Sequence, residues 1–222
     1  MIHIAKGTPP KELVQYCQSY DAQKSYENFR DKNSVKKALL EEQGYICAYC
    51  MCAIGYDPTK WEKEVRIEHY RSRHEFEYLQ LDYNNMFAVC TCAQGLVEKD
   101  QHCDTLKGDK YLHFDPKNPA HIGTLRYSEG GVLSTDQQYS DDIENVLGLN
   151  HSYLPVNRRD ILMDQIQILH SWIKKGVGKE RALEKLLNMF SARDKNGRYY
   201  PYCGIVFAYC EKKLRRESYA NT

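Results

Sequence analysis

Cys47-Ala48-Tyr49-Cys50 is the stretch that decides the fold, because it places two thiols three positions apart directly after a predicted helix end and an apolar pair. Thiolates at this spacing form a knuckle that provides half of a tetrahedral zinc site. A redox dithiol is the competing interpretation, but the flanking sequence lacks the βαβ pattern that such a motif needs. We therefore expect a zinc site that later residues complete.

The other half of the site is expected in a second group of cysteines. Cys90 and Cys103 are the candidates for the remaining ligands, and Cys92 and His102 stand beside them as alternatives. The chain has nine cysteines and no apparent secretory signal, so clustered cysteines are better interpreted as metal ligands than as disulfides. Three cysteines far from this region are expected to be buried small apolar side chains: Cys17, Cys203 and Cys210.

The composition is typical of a globular chain, with 42% hydrophobic and 27% charged residues in a length of 222. No apolar run approaches the ~20 residues that a membrane-spanning helix requires. The first ten residues also lack the apolar stretch of a signal peptide. We therefore expect a cytoplasmic protein with no membrane association.

The charge distribution suggests two surfaces with different partners. The formal net charge is +1, but residues 44–157 carry −7 and residues 158–222 carry +7. An acidic middle region disfavours tight binding of a nucleic-acid duplex by this chain alone. Substrate capture is therefore expected to need the basic C-terminal segment or a partner.

The hydrophobic pattern divides the chain into three parts and predicts an α+β fold. Residues 1–43 form an N-terminal segment with a helix that Ser34 is expected to cap and Gly44 to end. Residues 44–135 contain short segments interrupted by Cys, Gly and Asp, and we expect them to form the core that holds the metal site. Residues 136–222 show helical spacing and are interpreted as a mainly helical C-terminal region, a possible partner-docking unit.

Glu68-His69 lies between the two groups of cysteines and follows an alternating apolar–charged run. Carboxylate oxygen suits a hard divalent cation, and neutral imidazole can take a proton from water near neutral pH. Such a dipeptide means little in isolation. Its place between two thiolate half-sites indicates hydrolytic phosphate chemistry.

The order of these residues resembles the HNH endonuclease family, whose pattern is a CxxC knuckle, an acid–His pair, an Asn, further cysteines, then His or Asn and a Lys. The matching residues here are Cys47 and Cys50, Glu68-His69, Asn85, Cys90, and Cys103-Asp104-Thr105-Leu106-Lys107. The chain departs from the pattern at three points. An insertion separates Cys90 from Cys103, Asp104 stands at the His/Asn position, and Glu68 replaces the commoner Asp.

The resemblance implies a ββα-metal fold with a structural zinc ion and a catalytic Mg²⁺ or Mn²⁺ ion. Glu68 and Asp104 would hold the catalytic cation, His69 would act as general base, and Asn85 would brace the hairpin and orient His69. The zinc ligands would be Cys47, Cys50, Cys90 and Cys103. The expected contacts with the phosphates of DNA or RNA are Arg71, Arg73 and Lys107.

More narrowly, residues 1–160 resemble the HNH nucleases of Septu-type and retron-associated bacterial defence systems (PtuB-like proteins). The supporting segments are Ile4-Ala5-Lys6-Gly7, Lys107-Gly108-Asp109, Phe114-Asp115-Pro116, Gly130-Gly131, Leu147-Gly148-Leu149-Asn150, and Leu154 with Arg158. This resemblance implies an ABC/SMC-type partner ATPase and a role in anti-phage defence. The C-terminal helices are the expected contact with the ATPase.

Two other functions remain open at this point. The site could be a catalytically weak, zinc-stabilised module that only binds nucleic acid or protein. Alternatively, Cys47 and Cys50 could serve a zinc-dependent redox regulator. The sequence does not distinguish DNA from RNA as the substrate.

Overall fold

The computed structural model describes residues 1–20, 23–151 and 153–220, and of residues 217–220 it gives the backbone alone. This part of the chain has an α+β fold, as the sequence indicated. The helices are α1 (Lys11–Gln18), α2 (Lys32–Gln43), α3 (Trp61–Glu64), α4 (Asp104–Lys107), α5 (Pro119–Gly123), α6 (Leu154–Lys174), α7 (Lys179–Ser191) and α8 (Cys203–Ala220). The strands are β1 (Val65–His69), β2 (Met86–Cys90), β3 (Arg126–Tyr127) and β4 (Leu133–Ser134).

Helix α2 ends as the sequence indicated but begins earlier. Gly44 follows it in the left-handed conformation, with φ 65°. The N-cap is Asp31, whose carboxylate accepts a hydrogen bond from the Ser34 N–H at 3.1 Å. The expectation that Ser34 caps the helix is therefore wrong, because the acceptor side chain lies three residues earlier, the usual distance from an N-cap to the amide it satisfies.

Two antiparallel hairpins form the sheets. β1 pairs with β2 in a register that sets Val65 opposite Cys90 and His69 opposite Met86. Every residue of β2 is buried, which explains its continuous apolar sequence. β3 pairs with β4 in a second, two-residue ladder.

Hydrophobic packing forms two clusters. The first surrounds the β1–β2 hairpin, extends from Met1 to Leu154 and also includes Tyr202. The second joins α6, α7 and α8 and also takes in Ile46 and Met51, on either side of the CxxC sequence. The C-terminal helices therefore pack directly on the knuckle. No helix within the described ranges is both long enough and apolar enough to cross a membrane.

The cysteines outside the cluster differ in environment. Cys203 and Cys210 are buried, as expected for small apolar side chains. Cys17 is exposed, so the expectation of burial is wrong for it. The buried contact of α1 is made by Leu13, and Cys17 is turned away from the core.

A buried arginine ties the β3–β4 turn to helix α6. The Arg158 guanidinium donates hydrogen bonds to the Gly131 carbonyl at 2.6 Å, the Leu149 carbonyl at 2.7 Å and Asn150 Oδ1 at 2.9 Å. Asn150 in turn accepts from the Leu133 N–H at 2.9 Å. Gly131 fits this junction because it adopts φ +85° and lies directly against the Pro155 carbonyl.

Gly131→Ala is expected to destabilise the fold by about 3 kcal/mol, because a side chain is strained at positive φ and clashes with rigid backbone. A Cβ there would lie 1.9 Å from the Pro155 oxygen. Thermal unfolding followed by circular dichroism should show a Tm lower by roughly 10 °C. Gly130→Ala is the matched control, since its Cβ would meet only the Ser128 hydroxyl at 3.6 Å. Equal melting of the two variants would contradict this account.

Candidate functional site

The CxxC sequence forms a tight loop closed by backbone hydrogen bonds. The Cys47 N–H donates to the Cys52 carbonyl at 2.9 Å, and the Met51 N–H donates to the Cys47 carbonyl at 3.1 Å. Met51 adopts a positive φ of 65° to make this turn. The Ala48 N–H donates to the Ala88 carbonyl at 3.1 Å, which fixes the loop against β2.

Four cysteine sulfurs converge beside this loop. Cys90 is the last residue of β2, and Cys103 directly precedes α4, with its N–H donating to the Leu147 carbonyl at 2.8 Å. Together with Cys47 and Cys50 they form a fully buried set whose sulfurs all lie within 4.8 Å of one another. The candidates Cys90 and Cys103 are thus confirmed as members of this cluster.

The separations of the sulfurs fit a tetrahedral ion. Cys47 Sγ lies 3.8 Å from Cys103 Sγ, and Cys50 Sγ lies 3.7 Å from Cys90 Sγ. Zinc–sulfur bonds of about 2.3 Å at tetrahedral angles require sulfurs about 3.8 Å apart. The four cysteines could therefore hold a metal ion such as zinc.

The cluster favours the metal-binding thiolate form at Cys50 and the thiol form at Cys103. A hydrogen bond from the Cys103 thiol lowers the pKa of Cys50 to about 6. Burial raises the pKa of Cys103 itself. Cys50 is therefore the first of this pair to lose its proton, and ligands bind zinc only after deprotonation.

Alternation along β1 places Arg66 and Glu68 on the face that meets α4. Glu68 is only 4% exposed. Its Oε1 atom lies 2.7 Å from Lys107 Nζ and accepts a hydrogen bond from the Tyr49 hydroxyl at 3.2 Å. The glutamate is thus held on one side by residues from α4 and the knuckle.

Asp104, the first residue of α4, lies beside Glu68. Its Oδ2 atom is 2.5 Å from Arg66 Nη1. Burial, followed by a hydrogen bond with Asp104, raises the pKa of Glu68 well above its ordinary value. The two carboxyl groups that the sequence analysis paired therefore lie close together, each next to a basic side chain.

The imidazole of His69 is oriented by a backbone carbonyl. Its Nε2 atom lies 3.0 Å from the Gln80 oxygen. A carbonyl oxygen only accepts hydrogen bonds, so Nε2 carries the proton and Nδ1 keeps a free lone pair. Burial lowers the pKa of His69 to about 4, which keeps the ring neutral near pH 7.

Asn85 closes the loop that follows His69. Its Oδ1 atom accepts from the Arg71 N–H at 2.7 Å, and its Nδ2 atom donates to the Arg71 carbonyl at 3.0 Å and the Leu79 carbonyl at 3.3 Å. The Tyr70 N–H also donates to the Asn85 carbonyl at 2.8 Å. The structure therefore places Asn85 as a backbone brace of the hairpin.

The three basic residues expected at phosphates occupy different environments. Arg71 donates to the Leu112 carbonyl at 2.7 Å and lies over the Tyr111 ring at 3.9 Å. Arg73 is exposed and pairs with Glu27. Lys107 is 1% exposed. Its ammonium pairs with the Glu68 carboxyl group and does not face the surface where a phosphate would bind.

A basic groove beside β1 was not predicted. It has a volume of about 420 Å³, and its basic lining residues are Arg30, Lys32, Lys36 and Arg66. Arg66 could have been recognised from the sequence, because it stands two residues before Glu68 and shares its strand face. Arg30, Lys32 and Lys36 could not have been recognised, because only the fold brings the region around the start of α2 next to β1.

Lys107→Met is expected to destabilise the protein by about 3 kcal/mol, because it leaves the buried Glu68 carboxyl without its cationic partner. Urea unfolding monitored by tryptophan fluorescence measures this loss. Lys110→Met is the control, since Lys110 stands three residues away and is exposed. If the two variants unfold at the same urea concentration, the ion pair contributes nothing measurable.

No protein-family model matches the chain, and no curated protein matches it in sequence. A functional interpretation therefore depends on the geometry above and on the order of the motif residues.

Proposed function

We propose that this protein is an HNH endonuclease that hydrolyses phosphodiester bonds of nucleic acid with a divalent cation. The orientation of His69 carries the proposal: its Nε2 atom is fixed on the Gln80 carbonyl at 3.0 Å, which leaves Nδ1 as a base. The proximity of Glu68 and Asp104 supports it further, because two neighbouring carboxyl groups offer oxygen ligands that a hard cation prefers.

Each of the site residues would have a separate role in hydrolysis. His69 Nδ1 takes a proton from the attacking water, and Asn85 keeps the loop behind His69 in place. Mg²⁺ or Mn²⁺ held by Glu68 and Asp104 would stabilise charge developing on the phosphate and the departing 3′ oxygen. Arg66, partly exposed and bound to Asp104 at 2.5 Å, would move from the carboxylate to the phosphate.

Access to His69 is restricted in the structure. The residue is 6% exposed, and Tyr26 packs edge-on against its ring with centroids 4.6 Å apart. Arg73, which pairs with Glu27, also lies over the Tyr26 ring. The proposed reaction therefore requires Tyr26 and Glu27 to be displaced by the substrate or by a partner.

A partner ATPase of the ABC/SMC type, acting with this nuclease in anti-phage defence, would provide such a licensing step. The proposed contact is the basic surface at the α6–α7 turn. Lys175, Arg181 and Lys185 are exposed there and line a groove of about 970 Å³. Removing these helices is an unsuitable test, because they cover Ile46 and Met51 beside the metal ligands.

Reversing the charge of this surface is expected to weaken ATPase binding at least tenfold. The triple variant Lys175→Glu, Arg181→Glu, Lys185→Glu places like charges against an acidic partner surface without removing core residues. Co-purification and titration calorimetry measure the effect. Lys60→Glu, an exposed charge far along the chain from α7, is the control. Unchanged binding of the triple variant would exclude this surface as the docking site.

Nuclease activity itself is tested with the purified chain and with the complex that co-purifies with it. Each is incubated with plasmid DNA and with RNA, with Mg²⁺ or Mn²⁺, and with or without EDTA. EDTA-sensitive cleavage by either preparation supports the proposal. Absence of cleavage by both would overturn it, and the cleaved polymer identifies the substrate as DNA or RNA.

A zinc-stabilised binding module is the second candidate. The specific observation in its favour is that Glu68 and Asp104 already contact Lys107 and Arg66, at 2.7 Å and 2.5 Å. These contacts compete with a divalent cation for the carboxylate oxygens. Retention of nucleic acid in gel-shift assays, together with no cleavage under any of the conditions above, would favour this candidate.

A further inference from the structure

Two cysteines next to the four-cysteine cluster have no role in it. Cys52 follows Cys50 by two residues, and Cys92 follows Cys90 by two residues. Their sulfurs and that of Cys90 all lie within 4.8 Å of one another. Cys90 therefore belongs to two groups of thiols at once, one buried and one that reaches the surface at Cys92.

A histidine adjoins this second group with one nitrogen available. His102 Nδ1 lies 3.2 Å from Cys103 Sγ, and Nε2 lies 3.1 Å from the Tyr153 hydroxyl and 3.8 Å from Cys92 Sγ. If the proton of the neutral ring is on Nδ1, that nitrogen donates a hydrogen bond to the Cys103 thiolate. Nε2 then has a lone pair, which can accept a hydrogen bond from the Tyr153 hydroxyl. His102 is completely buried, so this ring is held in place beside Cys92.

We propose that the protein binds a second soft metal ion, such as zinc, through Cys52, Cys92, the shared thiolate of Cys90 and His102 Nε2. Six cysteines and one histidine, with one sulfur shared, provide eight metal–ligand bonds. Two tetrahedral ions need that number. The ion at Cys47, Cys50, Cys90 and Cys103 and the second ion would thus form one two-metal cluster.

The three sulfurs already lie close enough to share an ion, and the His102 ring lies near Cys92 but must move toward the other two sulfurs to complete the site. A tetrahedral zinc ion with bonds of about 2.3 Å to sulfur and about 2.05 Å to nitrogen places those two atoms about 3.6 Å apart. The separation of Cys92 Sγ and His102 Nε2 is 3.8 Å. Nε2 would exchange the Tyr153 hydroxyl, at 3.1 Å, for the metal as the ring moves toward the ion. The charge of a second cation would also stabilise neighbouring thiolates.

The metal content of the full-length protein tests the proposal. Protein saturated with zinc, then freed of loosely bound metal by gel filtration, is expected to hold two zinc ions per chain by plasma mass spectrometry. Cys92→Ser is expected to hold one, and Cys17→Ser, at an exposed cysteine outside the cluster, is expected to hold two. One zinc ion in the unaltered protein, or two in Cys92→Ser, would overturn the second site.

Alkylation of the native, unaltered protein provides a measurement that does not depend on the folding of a variant. Iodoacetamide followed by peptide mass spectrometry should modify exposed Cys17 at once and leave Cys92 unmodified until zinc is removed, although Cys92 is also exposed. Modification of Cys92 as fast as Cys17, or a disulfide between Cys52 and Cys92, would contradict the proposal. Neither measurement depends on nuclease activity, so the two proposals fail independently.

Discussion

His69→Ala is expected to lower the rate of nucleic-acid cleavage about a thousandfold, the usual contribution of a positioned general base. The reason is that Nδ1 is the free basic atom of a ring whose other nitrogen is fixed on the Gln80 carbonyl. Alanine removes this base and leaves the hairpin ladder in place. Single-turnover cleavage of a labelled substrate, at saturating Mg²⁺, measures the chemical step directly.

Two controls make this result specific. His74→Ala removes an exposed histidine five residues away and should cleave at the unaltered rate. The His69→Ala protein should also retain its zinc content and its circular dichroism spectrum, because no metal ligand is changed. Cleavage by His69→Ala at the unaltered rate would show that another group acts as the base.

Cys50→Ala is expected to release the metal ion and unfold the region around the knuckle. Structural zinc sites contribute on the order of 10 kcal/mol, which is comparable with the entire stability of an ordinary domain. Cys50 Sγ lies 3.7 Å from Cys90 Sγ, so its loss removes one of the four sulfur ligands of the tetrahedral site. Zinc analysis and thermal unfolding should show less bound metal and a cooperative transition that is lowered or lost.

Cys17→Ala is the matched control, since Cys17 is a free, exposed cysteine on α1. It should keep the metal content and the Tm of the unaltered protein. A Cys50→Ala protein with full metal content and an unchanged Tm would remove the structural role that we assign to the cluster.

The sequence predicted the four-cysteine cluster, with Cys92 and His102 as alternative ligands, because thiol spacing has few interpretations in a chain without disulfides. Cys47 and Cys50 define half a site, and cysteines at the end of one strand and the start of one helix complete it. The α+β class followed similarly from the change in hydrophobic period. The CxxC spacing and the change of hydrophobic period are both visible in the order of the residues alone.

Features that depend on three-dimensional placement were not predictable. Lys107 was expected to contact phosphate, but the single turn of α4 directs its ammonium to the buried Glu68. The basic groove needs α2 and β1 to meet, which no local pattern indicates. The N-cap was assigned to Ser34 although Asp31 is the actual N-cap. Serine and aspartate are both strong capping residues, so the sequence does not distinguish two candidates that are only three positions apart.

The attachment of the last helices to the knuckle has a consequence for how the chain assembles during synthesis. The Tyr199 N–H donates to the Gly44 carbonyl and the Tyr202 N–H donates to the Met51 carbonyl, both at 2.9 Å. The first residue of each pair leaves the ribosome about 150 residues before its partner, and chains generally fold from the N-terminus as they emerge. The loop of Cys47 and Cys50 is therefore synthesised before the helices that cover it. A metal ion bound by its cysteines would hold the loop in shape until those helices are made.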